Sequence, residues 1–417
     1  MIQQLETPVI IIGAGPAGAG TSIFLSKYGI PHIIIEKAIF PRDKVCGDAC
    51  SGKTLFVLRK ANLDWAPEIF SQQNKFLPSH GITFVAPNGK AIEIPFGGPK
   101  KPGELTAGFT TTRLIFDNFL FEKIDKNFAT VFQQSAIEKI EKKENGITVF
   151  FTQNGIDYQV KSKLIIGADG DKSIVQKTLV HSKSSPKAYA VGLRAYYKGV
   201  TGMNKNNFIE LHFLPEMLPG YFWIFPLPNG MANVGVGIPS ERVRDKKINL
   251  RELMLKVIKE NPTISDRFKN AELSGKIPGW GLPLAIKPQS ISGNNYLLTG
   301  DAAALIDPFS GEGIGNALYS GMLAADAAQK AIKEDKYDAG FFKENYDDIL
   351  YRKIGNELKL SATLQRLCRF PWLFNFVVNK ARKSPALSQT MSSMFSDLDL
   401  RAQLKKPSFY FRILFNK

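Results

Sequence analysis

Val9-Ile10-Ile11-Ile12 is an unbroken run of β-branched apolar residues. It has no polar alternation, so it predicts a short strand buried on both faces, as in a parallel sheet. The chain then passes through Gly13-Ala14-Gly15-Pro16-Ala17-Gly18 and turns helical, with Ile23, Phe24 and Leu25 apolar and Gly29 placed to end the helix. A second apolar run, His32-Ile33-Ile34-Ile35, stops at Glu36. Two more short runs, Leu164-Ile165-Ile166 and Tyr296-Leu297-Leu298, each lead into a turn of small residues carrying an aspartate. Elsewhere the period is two: Tyr221, Trp223 and Phe225 alternate along a predicted strand and share one face. Turn signals such as Pro87-Asn88-Gly89 and Pro228-Asn229-Gly230 punctuate the short strands. From residue 346 onward the pattern is mainly helical, with a break at Phe370-Pro371-Trp372.

The order strand, glycine turn, helix, strand, acid turns a G-x-G-x-x-G match into a dinucleotide-binding signature. Gly13 makes the tight turn, Gly15 lets backbone approach a pyrophosphate, and Gly18 lets helix and strand pack closely. The N–H groups at the helix start, at Ala17 and Gly18, then hold phosphate charge. Glu36 is placed to accept hydrogen bonds from a ribose and to repel a 2′-phosphate, which disfavours NADP here. NAD and FAD share this signature, and later segments separate them. Gly167-Ala168-Asp169-Gly170 and Gly300-Asp301-Ala302-Ala303 sit where an open α/β sheet places its ligand, beyond the carboxyl ends of strands. Asp307-Pro308-Phe309-Ser310-Gly311-Glu312-Gly313-Ile314-Gly315 opens a helix whose start, near Gly313, suits the negative charge of a reduced flavin. No second G-x-G-x-x-G occurs, so no separate nicotinamide domain is expected.

Composition narrows the partners. The 417 residues are 44% hydrophobic and 22% charged, which excludes wholesale disorder and exceeds what one core usually supports. No apolar run is long enough to span a bilayer, and the start of the chain lacks the layout of a signal peptide. Cys46, Cys50 and Cys368 cannot make a disulfide scaffold, so a cytoplasmic setting is the default. Four scattered histidines predict no metal site. The net charge of +16 is uneven: residues 351–417 carry 13 Lys or Arg against 3 acids. Alone, such a tail fits nucleic acid, an anionic membrane surface or a solvated face. Its cations alternate with Phe370, Trp372, Phe374, Phe376, Phe409, Tyr410, Phe411 and Phe415, which turns the expectation away from nucleic acid and toward peripheral contact with an anionic membrane. Packing of those same residues into the core is the alternative.

The chain resembles the flavoprotein group that includes p-hydroxybenzoate hydroxylase-like monooxygenases, flavin-dependent halogenases and geranylgeranyl reductases. The resemblance covers residues 8–340, and three segments make it most similar to the geranylgeranyl reductases. They are Pro41-Arg42-Asp43-Lys44-Val45-Cys46-Gly47-Asp48, Thr112-Arg113-Leu114-Ile115-Phe116-Asp117, and Pro219-Gly220-Tyr221-Phe222-Trp223-Ile224-Phe225-Pro226. The last departs from the family spacing by one residue between proline and tyrosine. The resemblance implies a discontinuous Rossmann-type FAD domain (residues 1–75, 105–180 and 280–345) and an antiparallel β-sheet substrate domain (76–104 and 181–279). A helical, basic C-terminal region covers 346–417.

By the same resemblance FAD is expected to touch Gly13, Gly15, Ala17, Gly18, Glu36, Lys37, Arg42, Cys46, Gly47, Arg113, Ala136, Asp169, Gly170, Asp301, Pro308, Gly311, Gly313 and Ile314. Tyr221, Trp223 and Phe225 are expected to line a prenyl-lipid pocket, although aromatics on one face of a sheet also suit plain core. Cys46 is the candidate catalytic residue, against the alternative of a small packing cysteine. Cys50 would share a helix face with it if that stretch is helical. The implied reaction is hydride transfer from reduced flavin to a carbon–carbon double bond of an apolar lipid, by a monomer, with NAD(P)H or ferredoxin as external reductant. The alternatives are an oxygen-using monooxygenase or halogenase, and a flavin electron carrier without catalysis. Tyr221–Pro226 resembles the halogenase Trp-x-Trp-x-Ile-Pro motif only loosely, because the first tryptophan and the isoleucine are replaced.

Overall fold

The computed structural model describes residues 2–96, 108–144, 146–180 and 188–384. The chain divides into two compact units, one of residues 1–43, 113–184 and 283–358, the other of residues 44–112, 185–282 and 359–417.

The first unit is built on a six-stranded sheet in the order Ser292–Gly293, Tyr296–Leu298, Leu164–Gly167, Val9–Ile12, His32–Ile35, Ala129–Phe132. All pairs are parallel except the first. Val9, Ile10 and Ile11 are 0% exposed, as the unbroken apolar run requires of a central parallel strand. Helix Pro16–Lys27 lies against the long helix Ile314–Glu334, and small residues set the spacing. A Cβ on Gly321 would lie 2.4 Å from the carbonyl oxygen of Ala17. A second, four-stranded sheet combines Gln3–Glu6, Ile156–Ser162, Gly146–Gln153 and Ile137–Lys143.

The second unit centres on an eight-stranded sheet that includes Tyr189–Lys198, Met231–Pro239, Tyr221–Pro226, Ile209–His212, Gly81–Val85 and Ala91–Pro95 in that order. Ile209–His212 runs parallel to Gly81–Val85, while the pairs on either side, with Tyr221–Pro226 and with Ala91–Pro95, are antiparallel. Alternation divides the faces of Tyr221–Pro226. Phe222 and Ile224 join Val234, Val236, Met254 and Val257 in a core under helix Leu250–Glu260. Each such fully buried apolar side chain contributes about 1.5–3 kcal/mol. Tyr221, Trp223 and Phe225 face the other way.

The units differ from the expected domain boundaries over residues 44–75, and the expected C-terminal region is divided, with residues 346–358 in the first unit and those from 359 in the second. Residues 44–75 belong to the second unit, since Ala49–Cys50 pairs with Gly108–Thr110, which also pairs with Leu77–Ser79. Ala49–Cys50 is therefore extended, and Cys46 and Cys50 share no helix face. The C-terminal region is helical over Asp348–Leu367 and Pro371–Ala381, with the expected break between them. The aromatic tail from Phe409 to Phe415 lies outside the described residues. No helix among the described residues is long and apolar enough to cross a membrane.

Candidate functional site

In the first unit the glycine signature closes around the ends of the strands. Gly13 takes φ +96°, and its N–H donates to the carbonyl of Ile35 at 2.8 Å. A Cβ there would meet the Ala168 carbonyl oxygen at 2.5 Å, so only glycine fits between the two turns. A Cβ on Gly18 would fall 1.8 Å from the Gly13 carbonyl oxygen. At Gly15 the nearest atom to such a Cβ would be Nη2 of Arg42, at 3.3 Å, leaving the backbone open on that side. Pro16 starts the helix, with no acid in its first turn and no capping side chain, so the first N–H groups are free to meet phosphate oxygens.

Glu36 is buried, and its carboxylate accepts from the Ala14 amide at 2.7 Å and the Ala38 amide at 2.8 Å. The acid is thereby fixed against the glycine turn, with lone pairs left for ribose hydroxyls. Lys37 is exposed at the rim, and Ala136 is an exposed neighbour of Ser135, whose amide donates to the Glu36 carbonyl at 2.9 Å.

Two arginines converge on one carboxylate. Arg113, the first residue of helix Arg113–Glu122, holds Asp117 through Nε at 2.6 Å and Nη2 at 2.7 Å. Arg42 reaches the same carboxylate through Nη1 at 2.7 Å while its guanidinium lies over the Phe40 ring. Asp117 is fully buried and was not among the expected site residues, although its spacing of four from Arg113 is a readable helical pair.

Asp169 accepts from the Ile174 amide at 2.6 Å through Oδ2, while its buried Oδ1 has no protein partner. Burial pushes its carboxyl up, against the opposing pull of Ser173 and the Ile174 amide. Gly170 follows with φ +78°. Asp301 lies beside Gly313, whose Cβ would sit 3.6 Å from Oδ1, and Gly300 packs on Ala17 and Ala317. Pro308 is buried, Gly311 takes φ +72°, and Gly313 precedes the helix that begins at Ile314. The first unit thus gathers the glycine turn, Glu36, Arg42, Arg113, Asp169, Asp301 and Gly313. An open glycine cradle, a free helix start and an orphaned carboxylate oxygen fit a flavin dinucleotide.

The second unit holds the remaining expected residues. Tyr221, Trp223 and Phe225 form a row with ring centroids 6.1 and 6.2 Å apart. The Trp223 ring lies across Gly235, where a Cβ would approach it to 2.2 Å. Cys46-Gly47-Asp48 is seated on this face, because a Cβ on Gly47 would touch the Phe225 ring at 2.9 Å. Asn233 makes the connection: it accepts from the Trp223 indole at 2.8 Å and donates to the Cys46 carbonyl at 2.7 Å and Asp48 Oδ2 at 2.9 Å. The Tyr196 hydroxyl donates to the same Oδ2 at 2.7 Å, and Arg194 stacks on the Tyr196 ring at 4.0 Å. The expected set contained none of Asn233, Asp48, Tyr196 or Gly235. The glycines at 235 and 237, spaced by two in a strand, were the available signal. Among the described residues no group of His, Cys, Asp or Glu is arranged to hold a metal.

The comparisons with known proteins agree with this geometry. Residues 6–327 match the FAD binding domain family. The digeranylgeranylglycerophospholipid reductase of Methanococcus vannielii is 29% identical over 365 residues, covering 86% of this chain and 87% of that protein. The menaquinone reductase of Mycobacterium tuberculosis is 28% identical over 351 residues, covering 80% of this chain and 81% of that protein. Among solved structures, a geranylgeranyl bacteriochlorophyll reductase-like protein from Thermoplasma acidophilum superposes with a TM-score of 0.78 at 21% identity, covering 96% of this chain and 99% of that one. The chain belongs to the FAD binding domain family and is an FAD-dependent oxidoreductase.

Proposed function

We propose that the enzyme reduces carbon–carbon double bonds in a prenyl or other long apolar lipid. The observation that carries this reading is the aromatic row Tyr221, Trp223, Phe225 with Cys46-Gly47 seated on it. Such a face accepts an alkyl or prenyl chain and excludes water from it. The names of the two curated relatives support an apolar, reducible substrate class.

FAD, when bound and reduced, supplies the hydride, and NAD(P)H or ferredoxin restores it afterwards. The chain's own residues do the rest. Gly13, Gly15, Ala17 and Gly18 hold the pyrophosphate, and Glu36 the ribose, with Lys37 and Ala136 at its edge. Arg42 and Arg113, fixed by Asp117, supply positive charge, while Asp169, Gly170, Asp301, Pro308, Gly311, Gly313 and Ile314 complete the cofactor contacts. Tyr221, Trp223 and Phe225 bind the lipid chain, and the Cys46 thiol gives a proton to the second alkene carbon. An isolated alkene accepts hydride poorly, so tight placement in a dry site must lower the barrier.

The test is an anaerobic incubation of the FAD-loaded enzyme with a digeranylgeranyl lipid and NAD(P)H or reduced ferredoxin, followed by mass spectrometry. A gain of two hydrogens per reduced bond is expected. Product that forms only with oxygen, carrying an added oxygen or halogen, would overturn the reading. So would a flavin that cycles between its redox states while the lipid stays unchanged.

A further inference from the structure

We propose that the outward face of helix Pro371–Ala381 docks on an anionic lipid bilayer. The helix is apolar on two faces, one buried and one exposed. The inner face packs within the second unit: the Phe374 ring lies tilted against Phe213 with centroids 4.5 Å apart, Val378 and Ala381 are buried, and the Asn375 side chain accepts from the Asn88 amide at 3.1 Å. The outer face carries Trp372, 69% exposed, and Phe376, 53% exposed, one helical turn apart. Phe370, just before the helix, and Leu367, at the end of the preceding one, are also exposed. Four large apolar side chains so close together form more than the scattered exposure of an ordinary surface.

The surrounding charge identifies what covers them. No Asp or Glu occurs between Glu357 and Asp397. Arg366 and Arg369 flank the patch on one side and Arg382 and Lys383 on the other, all exposed, while Lys380 lies over the Phe376 ring at 6.0 Å. Two carboxylates reach the edge: Glu241, 3.9 Å from Arg369, and Glu93, which shares a shallow depression with Arg382 and Lys383. The cations outnumber them. A protein partner would bring its own mixture of charges, whereas exposed Trp and Phe ringed by Lys and Arg match the acyl boundary and anionic headgroups of a bilayer. The proposal stands apart from the substrate reading, and an enzyme inactive on alkenes would still be expected to dock.

The experiment uses the full chain with FAD bound and vesicles of phosphatidylcholine with or without phosphatidylglycerol. Co-sedimentation is expected only with phosphatidylglycerol, and to weaken as salt rises. The Trp372→Ser/Phe376→Ser variant and the Arg382→Glu/Lys383→Glu variant should each bind about tenfold more weakly or worse, with flavin absorbance unchanged as the check on folding. Trp372 emission, taken as the difference from Trp372→Phe, should be quenched by acrylamide in solution and protected by vesicles. Equal binding to neutral vesicles, or undiminished binding by the Trp372→Ser/Phe376→Ser variant, would overturn the proposal. Trp372 already shielded without lipid would overturn it too, and would assign the face to residues 385–417 or to a second copy.

Discussion

Trp223 and Asn233 lie diagonally across adjacent antiparallel strands, with Asn233 opposite Phe225 and Trp223 opposite Gly235, and the indole N–H donates to the Asn233 side-chain oxygen at 2.8 Å. An indole nitrogen can only donate and a peptide carbonyl can only accept, so the amide orientation of Asn233 is fixed by Trp223 on one side and Cys46 on the other. One fully buried side chain therefore sets the ring of the aromatic row and the seat of the Cys46 segment together.

Replacing Asn233 by aspartate tests that coupling. The acceptor for Trp223 survives, but a carboxylate oxygen now opposes two acceptors, the Cys46 carbonyl and the Asp48 carboxylate. The loss is expected to be about 3 kcal/mol or more in stability, read from the denaturant midpoint. Because the cofactor contacts of the first unit are untouched, flavin content should hold while KM for the lipid rises. A variant with unchanged KM would remove Asn233 from substrate recognition. Cys46→Ala is the companion, since the segment is held by its backbone carbonyl rather than its sulfur. It should keep KM and lose about a hundredfold in turnover if the thiol supplies the proton.

The glycines of the signature separate folding from ligand binding. Gly18→Ala drives a methyl to 1.8 Å from the backbone oxygen of Gly13, which no rotamer can relieve, so it should unfold or loosen the first unit. Gly15→Ala meets only a flexible Arg42 guanidinium at 3.3 Å. It should fold with a melting temperature near that of the parent yet retain little flavin, because the methyl occupies the approach of the pyrophosphate. Equal flavin content in Gly15→Ala and the parent would show that the dinucleotide does not lie against Gly15.

The signature was readable because its causes are local. A positive φ at Gly13 and a close helix contact at Gly18 are properties of consecutive residues, and the order of elements around them supplied the context. The arginine–aspartate cluster was half readable: Asp117 lies one helical turn from Arg113, but its partner Arg42 is 75 residues away. Asn233 gave no signal at all. It is one polar residue in an apolar strand, and its partners Cys46 and Asp48 are 187 and 185 residues distant. Residues 44–75 join the second unit through two-residue strand pairing, which leaves no periodic trace in the sequence. Chain-wide alternation did predict the aromatic row, which needs no knowledge of what lies opposite.

Asp117 balances two guanidinium groups from inside the first unit, where Arg113 is 4% exposed and Asp117 fully buried. Asp117→Ala removes the carboxylate that both cations share, and removing one partner of a buried pair costs about 3–5 kcal/mol. Thermal unfolding should show that loss directly. Asp117→Asn retains the volume and one acceptor oxygen, so it should fall between the alanine variant and the parent. If both variants melt like the parent, the cluster is solvated in solution and does not order Arg42 and Arg113.

His32 predicts a pH dependence. Its Nδ1 lies 2.9 Å from the Ile30 carbonyl, which only accepts, so Nδ1 bears the proton and Nε2 accepts from the Ser22 hydroxyl at 2.7 Å. That bond ties the signature helix to the second strand. Burial pushes the imidazole below its ordinary value of 6.5, with the Ile30 carbonyl pulling weakly the other way. The folded ring therefore stays neutral in a range where the unfolded chain is already protonated. Its contribution is complete above 6.5 and is lost as pH falls from there toward the lowered folded value. The slope within that window is at most about 1.4 kcal/mol per pH unit. Urea midpoints at about pH 7 and about pH 5 should therefore differ more for the parent than for His32→Gln, which has no proton to take up. Identical losses in the two proteins would mean that other groups set the acid sensitivity.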